Sequence, residues 1–277
     1  MIKHSEPMTS HCSLRAGGLA QDFFVPNNIQ ALVDFLKSNT KPILFIGLGS
    51  NILIRDQGFQ GVIIKLTQLK SLSINQSCIA SEAGATLAKL SRFTLEKNFF
   101  GAEFLSAIPG TIGGALAMNA GAFGSEIWQF VKRVRTVNKS GELFWRQPCD
   151  FDILYRQITP LHPHEYFISV ELEFNSVSSN LSIQKLLKKR NDSQPIGLPS
   201  CGSVFKNPRD NYAAELIEKS NLKGFCIGGA CVSEKHANFI INYNKASAAD
   251  IENLVIHIQQ TVRSNFKIDL ETELKII

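Results

Sequence analysis

The stretch Ile108-Pro109-Gly110-Thr111-Ile112-Gly113-Gly114-Ala115, continuing through Met118-Asn119-Ala120-Gly121-Ala122-Phe123-Gly124, concentrates residues with little or no side chain in a short run. Backbone of this kind approaches its neighbour closely. Two neighbours suit it: a tightly packed turn or helix start, or a bound flat ring or diphosphate. The density of glycine favours the ligand. Toward the N-terminus, residues 86–97 place Leu87, Leu90 and Leu95 at helix-compatible spacing. Further out, Asn27 and Asn28 precede Ile29, Leu32, Val33 and Leu36, a second helix with its start signal, and the apolar run 43–46 is a buried strand. That strand runs into Gly47-Leu48-Gly49-Ser50-Asn51. Two more apolar runs, 52–54 and 62–66, flank the turn Asp56-Gln57-Gly58 and follow too closely for helical crossovers, which sets a doubly wound sheet aside.

Toward the C-terminus, residues 127–174 return to strand-like runs and form a sheet region of their own. There Ile168, Val170, Leu172 and Phe174 alternate with Phe167, Ser169, Glu171 and Glu173. A polar connector at 175–180 and the turn-rich Pro195-Ile196-Gly197-Leu198-Pro199 mark a boundary. Ser247-Ala248-Ala249-Asp250 has the pattern of a capping box, and Ile251, Leu254, Val255, Ile258 and Val262 continue it as one apolar stripe. The tail 266–277 alternates like a strand, with Ile268, Leu270, Leu274 and Ile276 on one face.

At 277 residues and 44% hydrophobic content the chain can bury a substantial core. No run approaches the roughly 18 consecutive apolar residues of a membrane helix, and the opening residues lack the apolar core of a signal peptide, so the cytoplasm is the expected compartment. The six cysteines contain no C-x-x-C pair, which predicts reduced, mostly structural thiols rather than a zinc or redox site. A net charge of +5 suits phosphate-bearing ligands and is too dispersed for nucleic acid. The basic run Lys188-Lys189-Arg190 reads as the last turn of a helix.

Three segments carry chemistry. The turn 47–51 could offer backbone N–H groups to a pyrophosphate or simply join two strands. It is not a P-loop, since no Gly-Lys-Ser/Thr follows, and it opens no helix as a dinucleotide fingerprint would. In Pro199-Ser200-Cys201-Gly202-Ser203-Val204-Phe205-Lys206-Asn207-Pro208, Ser203 could supply a hydroxyl proton beside a lysine and an amide, or be a turn serine. It has neither a G-x-S-x-G elbow nor a nearby histidine base. By themselves Tyr155-Arg156 and Glu273 read as surface residues. His162-Pro163-His164 lacks the carboxylate or cysteine spacing of a metal site, and His236 reads as a turn residue or ligand contact.

Taken together, these clusters resemble the UDP-N-acetylenolpyruvoylglucosamine reductase (UDP-N-acetylmuramate dehydrogenase) family, shorter subclass, over nearly the whole chain. The motifs stand in the family's order: Leu14-Arg15-Ala16-Gly17-Gly18, residues 47–53, 103–114, 118–121, Tyr155-Arg156, 202–208, 233–239 and Leu270-Glu271-Thr272-Glu273. The resemblance implies an α+β, FAD-binding fold of the vanillyl-alcohol-oxidase type with a smaller C-terminal substrate-binding domain. FAD-binding subdomains would cover 1–66, joined by the C-terminal strand 266–277, and 67–178, with the substrate domain at 179–265. It further implies non-covalent FAD, NADPH as co-substrate and UDP-N-acetylglucosamine enolpyruvate as substrate, in a monomer with no nucleic-acid or membrane partner. By the same resemblance Arg156 and Glu273 stabilise charge and Ser203 donates a proton. Gly47, Leu48, Gly49, Ser50, Asn51, Pro109, Gly110, Thr111, Gly113, Gly114, Asn119 and Gly121 would hold FAD, and Tyr155, Lys206, Asn207 and Lys275 the substrate. The chain departs from the family pattern at Gly47-Leu48-Gly49, where three glycines are frequent, at His11-Cys12-Ser13, where Asn-Thr is usual, and at Lys275, where arginine is common. Two rivals are another FAD oxidoreductase of the same fold and a non-enzymatic nucleotide-sugar binding protein.

Overall fold

The computed structural model describes residues 2–174 and 182–277, so the polar connector 175–180 lies outside the described residues. The chain forms two compact units: one from Phe24–Gly47 and Ile63–Arg190, the other from Lys3–Phe23, Leu48–Val62 and Asn191–Ile277.

In the first unit α1 (Ile29–Ser38) starts where Asn28 caps it, the side chain accepting from Ala31 N at 2.8 Å. Thr86 does the same for α2 (Leu87–Glu96), accepting from Lys89 N at 3.3 Å. An antiparallel five-stranded sheet runs in the order Leu143–Arg146, Val131–Asn138, Glu165–Leu172, Cys78–Glu82, Leu72–Asn75. Alternate residues of these strands point to one face, so Val134, Val170, Leu172 and Ile79 form a core with Leu87 and Leu90 of α2. Ile112 and Leu116 of α3 (Ile112–Met118) close the same core. The glycine-rich stretch thus contains a helix start as well as turns. The basic run 188–190 lies in α4 (Ile183–Ser193), with Arg190 in its last turn.

The second unit holds a three-stranded antiparallel sheet, Cys226–Ile227, Ala230–Val232 and Ile240–Asn242, with α5 (Ala213–Lys219) and α6 (Ala248–Phe266). The capping box of α6 is formed as its sequence predicts: Ser247 Oγ accepts from Asp250 N at 3.0 Å, and Asp250 accepts from Ser247 N at 2.9 Å. Asp56 adds a carboxylate to the same helix start, accepting from Ala248 N and Ala249 N, each at 2.9 Å. The predicted stripe Ile251, Leu254, Val255, Ile258 and Val262 is buried, each residue stabilising the fold by roughly 1.5–3 kcal/mol before chain entropy is counted.

Two expectations need correction. The tail is not one strand: α6 runs through Phe266, Lys267 ends it in a left-handed conformation (φ 60°), and only Lys275–Ile276 forms a regular strand. Leu270 and Leu274 are nevertheless buried, so the alternation reported burial correctly and ladder pairing incorrectly. Nor are all thiols reduced. Cys226 and Cys231 form a disulfide because the register of their hairpin sets them directly opposite one another, a pairing that no sequence spacing advertises. Among the described residues no helix is long and apolar enough to cross a membrane.

Candidate active site

The predicted residues fall into three clusters, two in the first unit and one in the second. The first surrounds a cavity of about 310 Å³ whose lining includes Gly47, Thr111, Gly113 and Gly114 together with Phe45 and Tyr166. Its size is at the lower end of the range of small-molecule sites, roughly 300–1,000 Å³. Gly47 is required by contact, since a Cβ there would overlap Thr111 Oγ1. The amides of Ile112 and Gly113 are already used, donating to Ala85 O at 2.9 Å and Ala83 O at 2.8 Å. Both readings of the glycine stretch therefore hold at once: Gly113 lets α3 pack on the strand ending near Ala83, while Gly114 faces the cavity. Phe45 and Tyr166 form an aromatic wall with ring centres 4.4 Å apart. Burial raises the Tyr166 phenol above its ordinary pKa, so it stays a neutral donor at physiological pH. Burial also pushes the neighbouring Glu165 carboxyl up, but hydrogen bonds from Arg146 and Thr136 outweigh this and hold it below the usual carboxylate value.

The second cluster lies at the other end of α3, roughly 10 Å along its axis. Asn119 ends that helix in a left-handed conformation (φ 45°) and is 1% exposed. Its amide donates to Glu126 Oε2 at 2.7 Å and to Leu154 O at 3.2 Å. Tyr155 and Arg156 form the two-residue turn between Phe151–Leu154 and Gln157–Pro160. From that turn the Arg156 guanidinium folds back, donating to Asn119 O at 3.1 Å and Gly121 O at 2.6 Å, with the Glu126 carboxylate 3.7 Å away. It also lies over the Tyr155 ring. Asn119, Gly121, Tyr155 and Arg156 are thus gathered around one fixed cation that is only 15% exposed. Pro109 and Gly110 lie just ahead of α3, where Gly110 O accepts from Leu87 N at 3.1 Å.

The third cluster belongs to the second unit. Residues 203–206 run antiparallel to 271–274: Lys206 N donates to Glu271 O at 2.9 Å, and Glu273 N donates to Val204 O at 2.8 Å. Ser203 and Glu273 therefore stand on adjacent extended segments. On the tail's other side Asn51 Nδ2 donates to Glu273 O at 2.9 Å and Lys275 N to Asn51 O at 3.2 Å, while Lys275–Ile276 pairs in parallel with Ile52–Leu53. The turn holding Leu48, Gly49 and Ser50 packs on residues 11–13. Ser13 N donates to Gly49 O at 2.9 Å, and at Gly49 (φ 70°) a Cβ would overlap His11 O.

Lys206 is paired with Glu271 at 3.1 Å, and Asn207 accepts from Ala213 N at 3.1 Å, capping α5. Cys201, buried two residues before Ser203, has its thiol pushed up to about 12 by burial and by the nearby Glu273 carboxylate, so it is inert as a nucleophile. One participant was not singled out from the sequence. Asn238 binds the backbone of Val204 and Phe205, although the segment containing it was recognisable as a motif.

Two family models match the chain. The one described as UDP-N-acetylenolpyruvoylglucosamine reductase, C-terminal domain, covers residues 194–277, and the one described as FAD binding domain covers residues 26–146. The UDP-N-acetylenolpyruvoylglucosamine reductase of Methylococcus capsulatus is 44% identical, over 98% of this chain and 91% of that protein. That of Coxiella burnetii is 46% identical over 98% and 94%. Among solved structures, UDP-N-acetylenolpyruvylglucosamine reductase from Thermus caldophilus aligns with a TM-score of 0.84 at 26% identity, covering 100% of this chain and 98% of that one.

Proposed function

Because the chain belongs to the UDP-N-acetylenolpyruvoylglucosamine reductase family, we propose that Arg156, Ser203 and Glu273 carry out its reduction of an enolpyruvyl ether. The protein is an FAD-dependent oxidoreductase of the vanillyl-alcohol-oxidase fold type that converts UDP-N-acetylglucosamine enolpyruvate to UDP-N-acetylmuramate for peptidoglycan synthesis, with NADPH as reductant. Bound FAD would supply the hydride-transfer chemistry that links NADPH to the enolpyruvyl substrate.

The chain's own residues manage the charge and the proton. Hydride addition converts the C=C bond to a single bond and leaves negative charge on the adjacent carbon and its carboxylate. The Arg156 guanidinium, held by two carbonyls, offsets that charge in this reading, and Glu273 is the second charge-stabilising group that the family likeness assigns. Ser203 Oγ–H then supplies the proton to the adjacent carbon. The observation that carries this reading is the antiparallel apposition of 203–206 with 271–274, which puts a hydroxyl and a carboxyl from distant sequence on neighbouring segments.

For the cofactor, the cavity beside Gly47, Thr111, Gly113 and Gly114 suits a flat ring, and the family likeness assigns the rest of it to residues 47–51 with Pro109, Gly110, Asn119 and Gly121. Tyr155, Lys206, Asn207 and Lys275 are the substrate contacts in this reading. The subdomain division 1–66 with 266–277, 67–178 and 179–265 is part of the proposal, supported by the pairing of Lys275–Ile276 with Ile52–Leu53. So is a cytoplasmic monomer: its UDP-sugar and NADPH are cytoplasmic compounds, and one chain supplies every proposed group.

Anaerobic titration with NADPH is expected to bleach the flavin bands, and UDP-N-acetylglucosamine enolpyruvate to restore them. A flavin that bleaches and stays reduced would overturn the substrate assignment, and failure to take up FAD would overturn the enzyme reading. Gly49→Ala should weaken FAD binding about tenfold, followed by flavin fluorescence, because alanine is strained at this φ and its methyl meets His11 O. Unchanged FAD affinity would remove Gly49 from the cofactor turn.

A further inference from the structure

Asn238 is 33 positions from Phe205, yet its side chain supplies both partners that Phe205's backbone needs. Oδ1 accepts from Phe205 N at 2.9 Å, and Nδ2 donates to Phe205 O at 2.8 Å. Its own backbone carbonyl accepts from Val204 N at 2.9 Å. One amide thus does for this segment what a neighbouring strand does in a sheet. The arrangement is dry: Asn238 is 4% exposed, Phe205 1% and Val204 fully buried. In such a place an unpaired N–H or C=O is costly, so removing the amide displaces the segment or leaves it strained. Asn238 is itself fixed, because its N–H donates to His236 Nδ1 at 3.3 Å. Burial lowers the pKa of His236, which keeps the imidazole neutral and Nδ1 able to accept.

On its opposite flank the same segment is bonded to the tail, through Val204 O and Lys206 N. Ser203 is the residue immediately before this doubly held stretch. We infer that Asn238 is the positioning residue for Ser203: acting through Val204 and Phe205, it fixes where the Ser203 hydroxyl stands when the substrate is protonated. The inference rests on Ser203 being the proton donor. Proton transfer to carbon tolerates little misplacement, since a shift near 1 Å costs on the order of 10²-fold in rate.

The test uses FAD-loaded enzyme and measures the two half-reactions separately by stopped-flow absorbance. Asn238→Asp keeps the acceptor for Phe205 N and loses the donor to Phe205 O. It is expected to slow flavin reoxidation by the enolpyruvyl substrate roughly 10- to 100-fold, while reduction by NADPH and flavin content stay near the unmodified enzyme's. Asn238→Ser, which replaces the carboxamide by a shorter hydroxyl and gives up both side-chain bonds to Phe205, should show the same split between the half-reactions and stands in should the aspartate variant not fold. In a Ser203→Ala background the Asn238 substitution should add nothing further, because the group it positions is gone. Additive losses, or equal slowing of both half-reactions, would overturn the inference. If Ser203→Ala slows reoxidation and neither Asn238 variant does, the inference alone falls. If Ser203→Ala has no effect, the proton-donor reading falls and takes the inference with it.

Discussion

Ser203→Ala leaves the flavin reducible by NADPH at close to the native rate and slows its reoxidation by the enolpyruvyl substrate roughly 10²- to 10⁴-fold, the usual contribution of a positioned acid. The split follows from what each half-reaction needs. Reduction by NADPH moves a hydride and asks nothing of a hydroxyl, whereas reduction of the vinyl ether needs a proton on the carbon next to the one that takes the hydride. Removing one oxygen atom disturbs nothing else that holds the segment, because Val204 and Lys206 bond through their backbones. Anaerobic stopped-flow of each half-reaction gives the answer, and equal losses in both would remove Ser203 from proton donation.

Arg156→Lys keeps the charge and is expected to slow substrate reduction about 10²-fold or more. The guanidinium spans two carbonyls, Asn119 O and Gly121 O, and is thereby aimed. An ammonium is a point charge on a flexible stem and cannot hold both partners in one plane. Lysine therefore retains long-range attraction for the anionic substrate but loses the alignment that matters as charge develops. Steady-state kcat should fall more than KM rises. A variant within threefold of the unmodified enzyme in both constants would show that the aimed geometry of Arg156 does not matter.

Local signals were readable in the sequence because the physics that fixes them is local. The helix starts at Asn28, Thr86 and Ser247 follow from side chains that bond amides three residues on. The apolar stripe of α6 follows from its burial pattern, whereas the strand 43–46 forms where expected but buries only Ile46, since Ile43, Leu44 and Phe45 border the cavity. What depends on tertiary neighbours was not readable. Cys226 meets Cys231 through hairpin register, and the tail stops being helical only at Lys267. Arg156 and Glu273 looked like ordinary surface residues, since the carbonyls that hold one and the segment that faces the other lie many positions away. Only the likeness to a family drew attention to them. Asn238 escaped for the same reason: nothing near it in sequence announces that its amide serves Phe205.

The pairing of the tail with Ile52–Leu53 also has a consequence for how the protein is made. Asn51 bonds to Glu273, 222 positions later in the chain. On a ribosome adding roughly 5–20 residues per second, that partner follows on the order of 10–45 s behind. Leu14, Ala16 and Leu53 share a core with Ile251, Leu254 and Leu270, so early apolar side chains emerge long before the groups that cover them. The second unit therefore completes itself only once residues 251–274 have been made, and until then it depends on whatever shields nascent hydrophobic surface in the cell. Slower translation prolongs that exposure, while holdase capacity or lower temperature relieves it.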